Sequence, residues 1–139
     1  MQYPKDVVIV AGARTAHGKF KGSLFNTSAV DLGAIAIKET LKQAELDPEL
    51  IDEVIMGNVL SAGIGQHPAR QSAIKAGIPE EIPALTVNKM CGSSMKAIML
   101  AANAIRAGES EILIAGGMES MSQSPFTIPR AEDLSLIHI

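Results

Sequence analysis

The sequence contains few aromatic residues, a single cysteine and no excess of positive charge. Aromatic side chains make up 3% of the 139 residues, so the core has to be built from Ala, Val, Ile, Leu and the seven Met. The one cysteine, Cys91, excludes an internal disulfide bond and favours a reducing compartment. The net charge of −3 includes no basic block, which argues against nucleic acid as the main partner.

Long hydrophobic runs are also missing. No apolar stretch reaches the roughly 18 residues that would indicate a transmembrane helix, and the apolar run at residues 7–10 is too short for a signal peptide. Because 47% of the residues are apolar and 19% are charged, the composition is typical of a globular chain. We therefore predict a globular, cytoplasmic protein with no membrane partner.

Four short apolar runs indicate buried strands. They begin near residues 7, 53, 84 and 111, and the first, residues 7–10, is a continuous β-branched run typical of a strand buried on both faces. Helical patterns separate the runs, over about residues 28–44, 66–76 and 92–107, and Gly77 and Gly108 end the last two. Each gap is long enough for a helical crossover, so the order predicts an α/β fold of mostly parallel β-α-β units.

The third predicted helix, residues 92–107, is apolar on nearly every side. Its few polar residues are Ser93, Ser94, Lys96, Asn103 and Arg106. A helix that is apolar all round is buried inside a larger body, whereas a single sheet covers only one of its sides. Because little of the chain is left to cover the other side, the pattern predicts a buried central helix in a chain that is incomplete or obligately paired.

Cys91 lies where a predicted strand passes into this helix. Ligands gather at the carboxyl ends of parallel strands, and the unpaired N–H groups at a helix N-terminus favour a thiolate, the nucleophilic form of cysteine. The Cys91 backbone N–H is placed to donate to an oxyanion, while Gly92 allows a substrate close to the backbone and Ser93 is small. The alternative on position alone is that Cys91 is a small, buried packing residue.

Residues 87–97, Val-Asn-Lys-Met-Cys-Gly-Ser-Ser-Met-Lys-Ala, resemble the acyl-enzyme signature of thiolases. Three other stretches resemble the same family and occur in the family's order. They are Arg14-Thr15 with residues 22–24, then residues 56–71, then Gly-Gly-Met-Glu-Ser-Met-Ser at 116–122. Ala16 and Ser94 depart from the family, whose members often carry Pro and Gly there. Both replacements are small, and together the four stretches cover about residues 6–130.

The resemblance implies the N-terminal half of a thiolase-like fold, with residues 1–133 as an incomplete N-terminal domain and residues 134–139 as an atypical tail. It also implies an acyltransferase that forms or cleaves 3-ketoacyl-CoA, with acetyl-CoA and other acyl-CoA as substrates and no separate cofactor. Cys91 would be the nucleophile that carries the acyl group, and Gly92 and Ser93 would lie beside the substrate. The sequence Gly-Gly-Met-Glu-Ser-Met at residues 116–121 resembles thiolases of the acetoacetyl-CoA type more than those of the long-chain degradative type.

The family's activating histidine and second cysteine belong to its C-terminal half, so the chain alone is expected to be inactive. The resemblance also implies that the full-length enzyme is a homodimer or homotetramer. His17 and His67 lie outside the family's catalytic motifs, and Glu119 either orients the site or is a structural loop carboxylate. No set of Cys and His has metal-ligand spacing. The alternatives are another thiolase-superfamily member, such as a ketoacyl synthase or a lipid-carrier-like thiolase, and a non-catalytic fragment.

Overall fold

A three-stranded parallel sheet lies at the centre of the structure, a computed structural model that describes residues 6–128. Its strands are β1 (Glu53–Gly57), β2 (Ala84–Val87) and β3 (Leu113–Gly117), in the order β2-β1-β3. The central strand β1 pairs in parallel with both neighbours, so that Val54 lies beside Ala84 on one side and Ile114 on the other. The predicted α/β fold with parallel β-α-β units is therefore confirmed.

Helices cover both faces of the sheet. Two of them, α1 (Ala29–Ala44) and α2 (Pro68–Ala76), share one hydrophobic core with Val54 and Met56 of β1. The third, α3 (Ser93–Ala107), packs on the opposite face against Ile55. Alternate residues of β1 thus point to opposite sides, as the pleat requires. Two short 3₁₀ turns, Pro48–Leu50 and Met121–Gln123, complete the described elements.

The helices end at the residues that the sequence indicated and begin within two residues of the predicted positions, α2 at Pro68 instead of Gln66 and α3 at Ser93 instead of Gly92. The Ser28 hydroxyl accepts from the Asp31 N–H at 3.0 Å and caps α1. Pro68 occupies the first turn of α2. Proline lacks a backbone N–H, and at this position the N–H of any residue would have no acceptor within the helix. Gly77 and Gly108 end α2 and α3 with φ of 96° and 79°, a left-handed conformation that favours glycine.

The packing of α1 against α2 places the segment that follows β3. Gly33 of α1 lies so close to Met118 and to Ser72 of α2 that an added Cβ would be 2.6 Å from Met118 Sδ and 2.9 Å from Ser72 Oγ. The Ser72 hydroxyl, on α2, donates to the Val30 carbonyl at 3.1 Å. Both helices therefore hold Met118, and with it the start of the loop that carries Glu119, against the end of the sheet.

The prediction of a buried strand at residues 7–10 was wrong for the part of the chain that the structure describes. These residues form no β-strand, and Val8, Ile9 and Val10 are between 73% and 83% exposed. β-Branched residues favour an extended backbone, but burial and pairing come from neighbouring elements. No described residue hydrogen-bonds this segment as a neighbouring strand.

Only one side of α3 is covered within residues 6–128. Ser93, Ala97 and Ala101 are buried against the sheet. On the other side Met95, Ile98 and Met99 are 64%, 41% and 51% exposed. The predicted burial of this helix therefore holds for its sheet side alone. The predicted tail at residues 134–139 lies outside the described residues. None of the three described helices has the length and hydropathy of a membrane span.

Candidate active site

Cys91 lies at the carboxyl edge of the sheet, between the end of β2 and the start of α3, and its thiol is exposed. Two glycines at the ends of the other strands bring the first turn of α3 to this edge. An added Cβ on Gly57 would lie 2.7 Å from the Ser93 carbonyl carbon, and one on Gly117 would overlap the Ser94 hydroxyl. Since these positions lack side chains, α3 begins directly above the ends of β1 and β3.

A tight turn joins β2 to α3, and we refer to residues 88–92 as the Cys91 turn. The Gly92 N–H donates to the Lys89 carbonyl at 3.0 Å, and the Ser93 N–H donates to the Met90 carbonyl at 3.1 Å. Met90 has a φ of 50°, in the left-handed region that residues other than glycine seldom adopt. The turn therefore holds the residue before Cys91 in a conformation that its neighbours have to stabilise.

Ser93 is 5% exposed, and its hydroxyl forms hydrogen bonds within the Cys91 turn. The hydroxyl donates to the Met90 carbonyl at 2.6 Å and accepts from the Lys89 N–H at 2.9 Å. A substrate contact of Ser93, which the sequence predicted, would thus have to be made by its backbone. Gly92 is half-buried, and its lack of a side chain keeps the space beside Cys91 open.

No hydrogen bond from the Cys91 backbone N–H to another described residue is found, although Cys91 and Lys89 form an isolated β-bridge across the turn. In addition, α3 begins at the N-cap residue Gly92 without any side-chain cap. An unpaired N–H beside an exposed thiol, at the positive end of a helix, is a geometry that stabilises negative charge on a bound acyl oxygen.

Polar contacts connect the Cys91 turn to the ends of the other two strands. The Asn88 carbonyl oxygen Oδ1 accepts from the Met90 N–H at 3.0 Å, and Asn88 Nδ2 donates to the Val59 carbonyl at 3.4 Å. The Glu119 carboxylate, beyond β3, accepts from the Val59 N–H at 3.0 Å and the Leu60 N–H at 3.2 Å. These contacts join the three loops at the carboxyl edge of the sheet.

Glu119 acts as a structural carboxylate in this geometry, the second of the two roles considered for it. Besides the backbone N–H groups it accepts from Asn58 Nδ2 at 3.0 Å, and the same Nδ2 donates to the Met118 carbonyl at 3.2 Å. Asn58 is only 2% exposed, and its Oδ1 has no donor among the described residues. Sequence reasoning did not find Asn58, because its partners are some 60 residues away.

Neither of the two described histidines hydrogen-bonds the Cys91 thiol. His67 has a φ of 54° and caps α2, with its Nδ1 accepting from the Arg70 N–H at 3.2 Å. His17 Nδ1 lies 3.5 Å from the Arg14 guanidinium. No side chain in the described part of the chain hydrogen-bonds the thiol, and residues 6–128 contain no cluster of His, Cys, Asp and Glu that could hold a metal.

The fold and the site together define an α/β protein with an exposed cysteine at a strand-to-helix turn, on the carboxyl edge of a parallel sheet. The thiolase N-terminal domain family matches residues 7–136 of the chain. The chain therefore belongs to the thiolase family. The resemblance noted in the sequence is confirmed.

Individual relatives agree with this assignment. The acetyl-CoA acetyltransferase of Cupriavidus necator is 59% identical over 128 residues, which are 92% of this chain and 33% of that protein. The Escherichia coli acetyl-CoA acetyltransferase is 53% identical over 124 residues, 89% of this chain and 32% of that protein. A crystal structure of a thiolase from Ascaris suum in complex with coenzyme A has a TM-score of 0.90 at 48% identity, covering 92% of this chain and 34% of that one. The chain thus spans about a third of the length of these relatives.

Proposed function

We propose that this chain is part of an acetyl-CoA acetyltransferase, which converts two acetyl-CoA into acetoacetyl-CoA and coenzyme A, or catalyses the reverse. The observation that carries the proposal is the exposed Cys91 thiol beside its own unpaired N–H at the start of α3. The support from comparison is the 59% identity to an acetyl-CoA acetyltransferase and the similarity to a thiolase crystallised with coenzyme A.

In the first half-reaction the Cys91 Sγ attacks the carbonyl carbon of acetyl-CoA. A bond forms between Sγ and the carbonyl carbon, and the oxygen becomes an oxyanion to which the Cys91 N–H donates. The bond to the sulfur of coenzyme A then breaks, and coenzyme A leaves as a thiol with the proton that Cys91 has lost. Gly92 leaves room for the acyl group beside the backbone.

In the second half-reaction a base from the remaining sequence takes a proton from the α-carbon of another acetyl-CoA. The resulting carbanion attacks the acetyl carbon on Cys91, a carbon–carbon bond forms, and the bond to Sγ breaks. Acetoacetyl-CoA leaves, and the Cys91 thiolate is regenerated for a further cycle. The acyl group is therefore held as a thioester intermediate between the two half-reactions.

We also propose that residues 1–133 are the N-terminal domain of a longer, cytoplasmic, homo-oligomeric enzyme of acyl-CoA (lipid) metabolism, with residues 134–139 as an atypical tail. The base that activates Cys91 and the second cysteine then come from the remaining sequence. This agrees with the lack of a hydrogen-bonded base near the thiol in residues 6–128, because a general base has to reach its proton directly or through one water. A lipid-carrier-like thiolase is disfavoured, since Cys91 is present.

The proposed function is tested by Cys91→Ser in the complete enzyme. We expect a loss of acetoacetyl-CoA thiolysis of at least about 10³-fold, because a missing nucleophile removes the covalent route. Radiolabelled acetyl-CoA should label the wild-type enzyme at Cys91 and leave the variant unlabelled.

Ser94→Ala is the matched control, since it changes an exposed neighbour and is expected to retain labelling. The 139-residue chain alone is expected to show no turnover. A Cys91→Ser enzyme that still transfers acetyl groups at the wild-type rate, or that is labelled on another residue, would contradict the proposal.

A further inference from the structure

The Met90 carbonyl is held by two donors from the same residue. The Ser93 hydroxyl donates to it at 2.6 Å and the Ser93 N–H donates to it at 3.1 Å. Ser93 is 5% exposed, and its hydroxyl hydrogen bond to the Met90 carbonyl is partly buried. Two donors to one carbonyl restrain the orientation of the peptide unit to which this carbonyl belongs.

That peptide unit also contains the Cys91 N–H. In a trans peptide the C=O and the N–H lie in one plane and point in opposite directions, and the described chain contains no cis peptide bond. Because Ser93 holds the Met90 carbonyl toward the first turn of α3, the Cys91 N–H has to point away from that turn. No described residue accepts from it, so it stays free to donate to a ligand beside the thiol.

The second hydrogen bond of the Ser93 hydroxyl restrains the preceding part of the turn. It accepts from the Lys89 N–H at 2.9 Å, so one hydroxyl bridges the chain on both sides of Met90. Met90 itself has a φ of 50°, and such a conformation persists where surrounding contacts determine it. The bridge supplies those contacts.

The end of β1 is shaped to admit Ser93 at this buried position. A Cβ on Gly57 would lie 2.7 Å from both Ser93 Cβ and the Ser93 carbonyl carbon. Only glycine lets the serine approach closely enough for its hydroxyl to reach both Lys89 and Met90.

We propose that Ser93 is a positioning residue, which aims the Cys91 N–H at the oxygen of the acyl group and thereby prepares the oxyanion site before substrate binds. This inference rests on the proposed function, because it assigns a role to Ser93 in acyl transfer to Cys91. Ser93 touches neither the thiol nor the acyl group in this role. Its hydroxyl acts through the Met90–Cys91 peptide.

Two reactions of the same thiol separate this role from general support of the fold. Acetylation of Cys91 by p-nitrophenyl acetate passes through an oxyanion: Sγ bonds to the carbonyl carbon and p-nitrophenolate leaves. Alkylation by iodoacetamide displaces iodide at a saturated carbon and forms no oxyanion. Both rates are measured at one atom by mass spectrometry of the peptide that contains Cys91, the only cysteine of the 139-residue chain.

For Ser93→Ala we expect acetylation to slow by about tenfold or more, short of the roughly 10²–10³-fold loss that follows removal of an oxyanion donor. Alkylation should change less than about threefold, since this reaction needs the thiolate but no oxyanion donor. Ser94→Ala, the matched control at the exposed neighbour, should leave both rates unchanged.

Equal changes in the two rates, or no change in either, would overturn the role of Ser93. Circular dichroism establishes whether Ser93→Ala is folded. If the chain with this substitution is unfolded, the same two rates are measured in the complete enzyme by mass spectrometry of the peptide that contains Cys91, and the same outcomes apply. If the wild-type complete enzyme is acetylated at Cys91 and Ser93→Ala leaves the ratio of acetylation to alkylation rates unchanged, only this inference is refuted. If the wild-type complete enzyme is never acetylated at Cys91, the proposed function is refuted.

Discussion

At the scale of single residues, backbone N–H groups determine the role of several polar side chains. The Asp52 carboxylate, before β1, accepts from the Glu111 N–H at 2.6 Å and the Ile112 N–H at 2.9 Å, before β3. The hydrogen bonds from Ile112 and Glu111 hold the pKa of Asp52 below its usual range. Asp52 therefore connects the starts of β1 and β3, while Glu119 accepts from backbone N–H groups at the carboxyl edge of the sheet.

Asp52→Asn should lower the free energy of unfolding at pH 7 by less than about 1 kcal/mol, since the exposed carboxylate is screened by solvent. The native state lowers the pKa, so this contribution is complete above the unfolded value of about 3.9 and is lost as pH falls through the lower, folded value. Urea unfolding at several pH values is the measurement, and the wild type and the variant should converge at acidic pH. Glu109→Gln, at an exposed carboxylate, should have no effect; a difference that grows on acidification would refute the prediction.

At the scale of elements, glycines decide how closely the helices approach the strands. Gly33 admits Met118 between α1 and α2, and Gly57 admits the first turn of α3 over the end of β1. The Cys91 turn depends on this second contact, because Ser93 reaches Met90 only from the position that Gly57 leaves open. The geometry of the site is thus a consequence of packing between a helix and a strand that lies more than 30 residues earlier.

Gly57→Ala should destabilise the chain by about 1–3 kcal/mol, because the added Cβ would overlap backbone atoms of α3 that have little freedom to move. It should also lower the rate of Cys91 acetylation, since α3 has to shift. The measurements are urea unfolding by circular dichroism and reaction with p-nitrophenyl acetate. Gly12→Ala, where nothing lies within 4 Å of an added Cβ, is the matched control, and equal stability of the two variants would contradict the expectation.

At the scale of the whole molecule, two apolar surfaces of the described chain are uncovered. One is the outer side of α3, with Met95, Ile98 and Met99, and the other is the unpaired segment at residues 8–10. Large exposed apolar patches mark surfaces that pack against something else. The chain spans about a third of the length of its relatives, so the longer enzyme proposed above would contain further sequence that could cover α3.

We therefore expect the 139-residue chain to self-associate, and the double substitution Met95→Lys with Met99→Lys to raise its monomeric fraction severalfold. Size-exclusion chromatography with light scattering measures this. Ile74→Lys, at an exposed apolar residue of α2 that is 49% exposed, controls for added charge alone and should have a smaller effect. A monodisperse wild-type monomer would refute the expectation.

Local patterns explain why so much was predictable. The strands β1, β2 and β3, the helix caps at Ser28 and Gly77, and the place of Cys91 between a strand and a helix all follow from periodicity and from signals within a few residues. The family resemblance depended on the same short stretches. The strand predicted at residues 7–10 was wrong because a β-branched run reveals preference for an extended backbone but not a partner to pair with.

The sequence by itself determined the chain order of β1, β2 and β3 and of the three helices, their parallel pairing, and the position of the thiol at the carboxyl edge of the sheet. Only the tertiary structure decided that Ser93 turns its hydroxyl inward to the Met90 carbonyl, that Glu119 binds the loop after β1, and that one side of α3 stays open. The physical reason is range. Periodicity and caps act between neighbours along the chain, whereas Glu119 and Asn58 are 61 residues apart and meet only because the sheet brings its strand ends together.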